Sequence, residues 1–222
     1  MILKKVLHDL FRHEGASADA PKASVAHAVP IVLNVGGNSK DIPIPGHYAG
    51  WTHLLLDIDP AGNPDIVCDA RDLQSLDAGQ FDAVYCSHNL EHYYRHDAAQ
   101  VLRGFLHVLK PDGFAEIRVP DLMCIMRHVV TTGMDIEDTL YVSGAGPITV
   151  RDVIYGFGKQ IEESGVDFYA HKTGFTPTTL SAFLAQAGFG QVFVQALQED
   201  FEVRAVAFRA QATPAQRVAL AL

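Results

Sequence analysis

The sequence predicts an α/β protein, a mostly parallel sheet with helices packed against it. Three observations predict this. Five short apolar runs, IVLNV (31–35), HLLLDID (53–59), DIVC (65–68), FDAVYCS (81–87) and FAEIRVP (114–120), lack the alternation of a half-exposed strand and suit strands buried on both faces. After the fourth run the period changes to helical, with Val101, Leu102, Phe105, Leu106 and Leu109 forming one stripe. The chain then closes on two consecutive strand-like runs, QVFVQAL (191–197) and FEVRAVAFRA (201–210), too near each other to be joined except as an antiparallel pair.

In order along the chain, residues 1–13 carry Ile2, Val6 and Leu10 against Lys5, Asp9 and Arg12, a short surface helix, and the small polar residues of 14–29 read as a linker. The main domain spans 30–212. Asp97 is expected to open the helix after the fourth strand, capping the amide of Gln100 in a capping-box arrangement, and Lys110-Pro111-Asp112-Gly113 to end it. Residues 121–175, punctuated by Gly144, Gly146, Pro147, Gly156, Gly158, Gly165 and Gly174, read as an irregular insertion shaping a substrate site. Thr176-Pro177 marks a cap and first helical position, with that helix running to Gly188, and 213–222 is a C-terminal tail.

Composition narrows the function. The 222 residues are 48% hydrophobic, which excludes disorder as the main state, and no apolar run is long enough for a membrane span. MILKKVLHDLFRHE places Asp9, Arg12 and Glu14 where a secretory signal needs an apolar core. A net charge of −9, without clustered Lys or Arg, argues against nucleic acid as a partner. Cys68, Cys86 and Cys124, an odd number without CxxC spacing, suit reduced thiols and a cytoplasmic location.

Ligands of an open parallel sheet bind beyond the carboxyl ends of its strands. The first expected strand ends in Asn34-Val35-Gly36-Gly37-Asn38, where glycine lets the backbone pass close to a ligand. The second ends in Asp57 and Asp59, about the sequence distance at which an acid meets a ribose diol. The third ends in Cys68-Asp69-Ala70, where a carboxylate suits an adenine amino group, and the fourth in Cys86-Ser87-His88. Together they point to a nucleoside ligand. Dinucleotide binding is disfavoured: positions 36–41 read GGNSKD, without the G-x-G-x-x-G pattern, and Pro43 and Pro45 preclude a helix directly after the loop.

These residues, LNVGGN, then GW, LDIDP, PDIVCDARDL, FDAVYCSHNLEHY and VLKPDGFAEIRVPDL, resemble the class I S-adenosylmethionine-dependent methyltransferases, strongly over 31–122, with VSGAGPI and HKTGFT similar to the tail of the same branch. The resemblance implies a Rossmann-like three-layer sandwich, its seven-stranded sheet having an antiparallel last strand. It implies S-adenosylmethionine as cofactor and S-adenosylhomocysteine as product. Gly36 and Gly37 would lie against the methionine portion, Asp57 and Asp59 at the ribose, Asp69 and the Ala70 amide at adenine, and Cys86, Ser87 and His88 by the sulfonium and amino group, with His92 lining the pocket. The acceptor implied is a small molecule or a glycan. The chain departs from the branch at Asn34, which replaces an acid, at Asn38 in a glycine position, and at Lys40 near the third glycine. A methyltransferase-like protein that binds the cofactor without turnover is therefore the alternative reading.

Eleven histidines include His88, His92 and His96. His88-Asn89-Leu90-Glu91-His92 matches H-x-x-E-H, the pattern of a zinc hydrolase, which needs a helix carrying all five residues and a third ligand downstream. The motif follows directly on an apolar strand, so zinc hydrolysis ranks last and no metal set is assigned. Candidate bases for a hydroxyl acceptor are His88, Asp121 at the end of the fifth strand and His171 before GFT; Tyr93, Tyr94, Tyr155 and Phe157 are candidates for an aromatic acceptor wall. Oligomeric state is not legible.

Overall fold

The computed structural model describes residues 29–222, so the helix expected over 1–13 and nearly all of the 14–29 linker lie outside the described residues. β1 (Ile31–Val35) is buried along its whole length, as an unbroken apolar run at a sheet centre must be. It pairs in parallel with β2 (Thr52–Asp57) on one side and β4 (Phe81–Ser87) on the other. The short β3 (Ile66–Val67) extends the sheet beyond β2. β5 (Leu109–Pro120) pairs in parallel with β4, and a separate antiparallel hairpin, β6 (Thr139–Ser143) and β7 (Gly146–Thr149), follows. β8 (Gln191–Leu197) and β9 (Glu202–Phe208) close the sheet, β9 lying antiparallel between β5 and β8. The order β3-β2-β1-β4-β5-β9-β8 is the seven-stranded, mostly parallel sheet with an antiparallel last strand expected above.

One face of the sheet (Leu33, Leu54, Leu56, Val84, Ile117) packs on α1 (Arg95–Val108), where Val101, Leu102, Phe105 and Val108 are buried. α2 (Leu122–Thr132), α3 (Val150–Tyr155) and α4 (Gly158–Ser164) belong to the segment after β5. α5 (Pro177–Ala187) returns to the α1 side of the sheet through Leu180 and Leu184. The other face gathers Val32, Tyr85, Phe114, Val206 and Phe208 under Tyr48 and Leu220, the latter from just beyond α6 (Pro214–Ala219). Residues 213–222 are thus a docked helix as well as a tail.

Two boundaries differ from the sequence reading. α1 begins at Arg95 with Tyr94 in the cap position, and Asp97 lies inside the first turn, 3.8 Å from Arg71 Nη1. Gln100, the expected capping-box partner, donates to the Arg71 carbonyl instead. β5 starts at Leu109, because a register shift between Phe81 and Ala83 absorbs the Lys110–Gly113 stretch that reads as a terminator. The Thr176 cap forms as expected, reciprocated by Thr179. The 121–175 segment, expected to be irregular, contains the hairpin and three capped or bounded helices.

Candidate functional site

The carboxyl ends of β1, β2 and β4 open into a cavity of about 470 Å³, within the usual range for small-molecule sites. Gly36, Asn38, Asp57, Ile58, Asp59 and Asp69 form its inner wall; Tyr93, Tyr94 and Asp97 flank it; Gln160, Phe168, Tyr169 and Lys172 close the outer side.

The loop after β1 is held tightly. Gly36 has φ +71 and donates its amide to Leu56; a Cβ there would fall 2.1 Å from Asn89 Nδ2. Only glycine meets both demands. Gly37 packs equally close on the buried Asn34 side chain. Asn38 adopts φ +59, a conformation asparagine tolerates, so its glycine position is filled without a glycine. Lys40 pairs with Asp65 at 2.6 Å, and neither residue lines the cavity.

Asp57, 9% exposed, accepts from the Asn38 and Asp59 amides, both at 3.0 Å, so its carboxylate is fixed at the rim with lone pairs to spare. Asp59 caps the turn at 60–62 through the Ala61 amide. Asp69 caps the turn at 70–75, and its carboxylate is gripped by Arg71 through Nε and Nη2. Burial works to raise the Asp69 pKa, but the Arg71 hydrogen bonds outweigh it and keep the carboxyl ionised below its ordinary value.

Of the other candidates, His88 and His92 line the cavity, while Asn34, Gly37, Ala70, Cys86, Ser87, Asp121 and His171 do not. Cys86 is wholly buried, its thiol pushed far up by desolvation. Asp121 caps α2, accepting from the Met123 and Cys124 amides. Tyr93 and Tyr94 are on the wall; Tyr155 and Phe157 are not. His88 stands at φ +48 with Nε2 2.7 Å from Glu202 and Nδ1 3.5 Å from Glu91. Burial disfavours its charged form, yet these two carboxylates raise its pKa to about 10. The H-x-x-E-H helix does not form: residues 88–92 are one left-handed residue followed by a single 3-10 turn, and His88 turns to Glu202 while His92 Nδ1 donates to Ala170. Asn89, Arg71 and Lys172 lie within the motifs SHNLEH, PDIVCDARDL and HKTGFT but carry no signal of a site role, and Glu202 reaches His88 only through the pairing of distant strands.

S-adenosylmethionine fits this arrangement. The Cβ-free approach at Gly36, the fixed Asp57 carboxylate, the apolar Ile58 and Tyr93 in the lining, and five lining aspartates (57, 59, 69, 97, 167) against three lining cations (Arg71, Lys172 and the protonated His88) suit a cationic nucleoside.

Residues 55–117 match the family model described as a methyltransferase domain. No curated protein matches the chain. Among solved structures, a SAM-dependent methyltransferase from Archaeoglobus fulgidus is similar, with TM-score 0.51 and 16% identity over 81% of this chain and 86% of that one. The CMeT domain of a citrinin polyketide synthase has TM-score 0.50 and 11% identity over 83% of this chain and 47% of the other. The CurJ carbon methyltransferase has TM-score 0.50 and 13% identity over 82% and 49%. These structural likenesses show the fold, and the matched segment supplies the end of β2, β3, β4, α1 and most of β5, and with them Asp57, Asp59 and Asp69 of the cavity's inner wall. The chain has the fold seen in S-adenosylmethionine-dependent methyltransferases, and its residues 55–117 match the methyltransferase-domain model.

Proposed function

We propose that the protein transfers a methyl group from S-adenosylmethionine to a hydroxyl of a small molecule or glycan. The observation that carries this reading is a cavity that runs from the strand ends to the 158–172 segment, so that a cofactor at the strand ends would face an acceptor held by that segment. Gly36, Asp57, Asp59, Asp69 and Tyr93 are the proposed cofactor side; Tyr94, Gln160, Phe168, Tyr169 and Lys172 are the proposed acceptor side, an aromatic and polar wall suited to a hydroxylated ligand. The bound cofactor supplies an electrophilic methyl on a sulfonium. The protein's part is to hold an acceptor oxygen in line with it, exclude water and shield the charge. Of the candidate bases only His88 borders the cavity, and with its pKa raised to about 10 by Glu202 and Glu91 it stands there protonated, suited to donate a hydrogen bond and not to take a proton, while Asp121 is already committed to helix amides. The three free cysteines support a reducing, cytoplasmic setting.

The test is calorimetric titration with S-adenosylhomocysteine, wild type beside Asp57→Ala, followed by labelled methyl transfer to hydroxylated small molecules and oligosaccharides. A charged contact is worth about 1.5–3 kcal/mol, so affinity falls about 10- to 150-fold in the variant. Absence of binding in the wild type refutes the proposal. Tight binding with no transfer to any acceptor supports the second reading, a cofactor-binding protein without turnover, for which the favouring observation is that His88, the bordering candidate base, is held protonated by Glu202 and Glu91.

A further inference from the structure

We propose that Glu91, His92 and His171 form a binding site for a divalent transition-metal ion, with zinc the best match to the ligand set. The three offer a carboxylate oxygen and two imidazole nitrogens, all within 4.8 Å of one another. Glu91 is 1% exposed, and neither of its oxygens has a hydrogen-bond partner among the described residues. A buried carboxylate in that condition carries the desolvation cost of its charge with no hydrogen bond in compensation; the charge that faces it is the His88 ring, an ion pair with Nδ1 3.5 Å away and itself drawn to Glu202.

The imidazoles are prepared in the manner of metal ligands. His92 Nδ1 faces the Ala170 carbonyl at 3.2 Å and His171 Nδ1 the Val153 carbonyl at 2.9 Å. A carbonyl only accepts, so each Nδ1 carries the proton and each Nε2 keeps a free lone pair. A backbone carbonyl behind the ring is the usual means of fixing the tautomer of a metal-binding histidine. The two rings meet edge to face with centroids 4.9 Å apart. A metal about 2.0–2.2 Å from each ligand needs them roughly 3–3.5 Å apart, so an ion would draw together groups that lie within 4.8 Å of one another without it.

Two histidines and one carboxylate leave a coordination position open, as three-ligand zinc sites do. His92 lines the large cavity, whereas Glu91 and His171 line the small cleft behind it, with Val153 and Phe175. The ion would therefore sit in the partition between the two, tying the turn after β4 to the segment before α5. The downstream ligand that the H-x-x-E-H reading lacked is His171, and the ligand the structure removes from it is His88.

The experiment uses the full chain, stripped with a chelator and titrated with Co²⁺ and then Zn²⁺. Bound metal is counted by elemental analysis, and coordination is read from the visible absorption of the cobalt form. The expected result is one ion per chain with a low-symmetry cobalt spectrum, displaced by zinc. Affinity should drop about 100-fold or more in Glu91→Gln and His171→Asn and stay unchanged in His96→Ala, whose side chain is 82% exposed. Circular dichroism checks that the variants fold. Should His171→Asn not fold, the nearly isosteric Glu91→Gln decides. No stoichiometric binding by the wild type, or binding that Glu91→Gln leaves intact, overturns the proposal. Neither readout depends on methyl transfer, so failure here leaves the proposed activity standing.

Discussion

Arg204→Met should destabilise the protein severely. Glu116, in the middle of β5, is completely buried, and Arg204, opposite Arg118 on β9, is 6% exposed. Arg204 Nε donates to Glu116 Oε1 at 2.7 Å; Tyr48 Oη and His47 Nε2 approach Glu116 Oε2 at 3.1 and 2.8 Å. Removing the guanidinium leaves the buried carboxylate without its closest countercharge, with only Arg118 Nη2 at 3.7 Å and the His47 ring in its place, a loss of up to about 3–5 kcal/mol. For a chain of this length each kcal/mol lowers Tm by about 2–4 °C, so the fall should be roughly 6–20 °C. Arg204 also donates to the Leu220 carbonyl at 3.0 Å and to Gln195 at 2.8 Å, which gives a competing origin for the loss. The double variant Glu116→Gln/Arg204→Met separates the two, because a neutral amide still accepts from Tyr48 yet needs no countercharge. Chemical denaturation of the four proteins of the cycle is the assay, and at least half the loss should return in the double variant. A cost under about 1 kcal/mol for Arg204→Met would refute the reasoning outright. A double variant no better than the single would move the cause from the charge to the docking of the C-terminal helix.

Three further outcomes are expected. Gly36→Ala combines the cost of a left-handed alanine, about 1–2 kcal/mol, with a clash against Asn89, so S-adenosylhomocysteine affinity falls; adding Asn89→Gly restores the clash component alone, as calorimetry of the three variants will show. Gly104→Ala, favourable for helix propensity, should instead lower the urea midpoint, since its Cβ would lie 2.7 Å from Leu73 Cβ. Burial tends to raise the Asp152 carboxyl pKa, but the amides of Thr149 and Gly158 and the Thr149 hydroxyl hold it below its ordinary value. Its folded pKa being depressed, its contribution is present above the unfolded value of about 4 and is lost as pH falls through the folded one. The stability gap between wild type and Asp152→Asn should therefore be constant near neutrality and close in acid, measured by denaturation across pH.

The sheet was legible because IVLNV and its partners are buried on both faces, which leaves a strand no polar side to show. The start of β5 was not, because a register shift lets Pro111 and Gly113 lie within a strand where local chemistry signals its end. The start of α1 was misplaced because Asp97 satisfies a capping pattern locally, whereas in the fold it faces Arg71, which lies far from it in sequence. At the cavity, Gly36, Asp57, Asp59 and Asp69 follow from the rule that ligands gather at strand ends. The outer wall does not, since Phe168, Tyr169 and Lys172 arrive there only through the path of a long segment. His88, Glu91 and His92 were conspicuous, but helical spacing grouped them wrongly: a left-handed residue at 88 sends its ring one way and the other two toward His171.

The Glu91 carbonyl receives the amides of both Lys172 and Thr173, at 2.9 and 3.1 Å, and His92 reaches the carbonyl of Ala170. The floor of the site and its outer wall are in this way stitched together by main chain, and main-chain bonds persist through changes of side chain. Substitutions at 160, 168 and 169, on the proposed acceptor wall, leave these main-chain bonds in place, so the chemistry of the wall can change without moving the loop. For an engineer the lesson is about where to cut. A graft of 139–173 from another acceptor specificity should travel with residues 88–93, whereas point changes on the wall can be made alone.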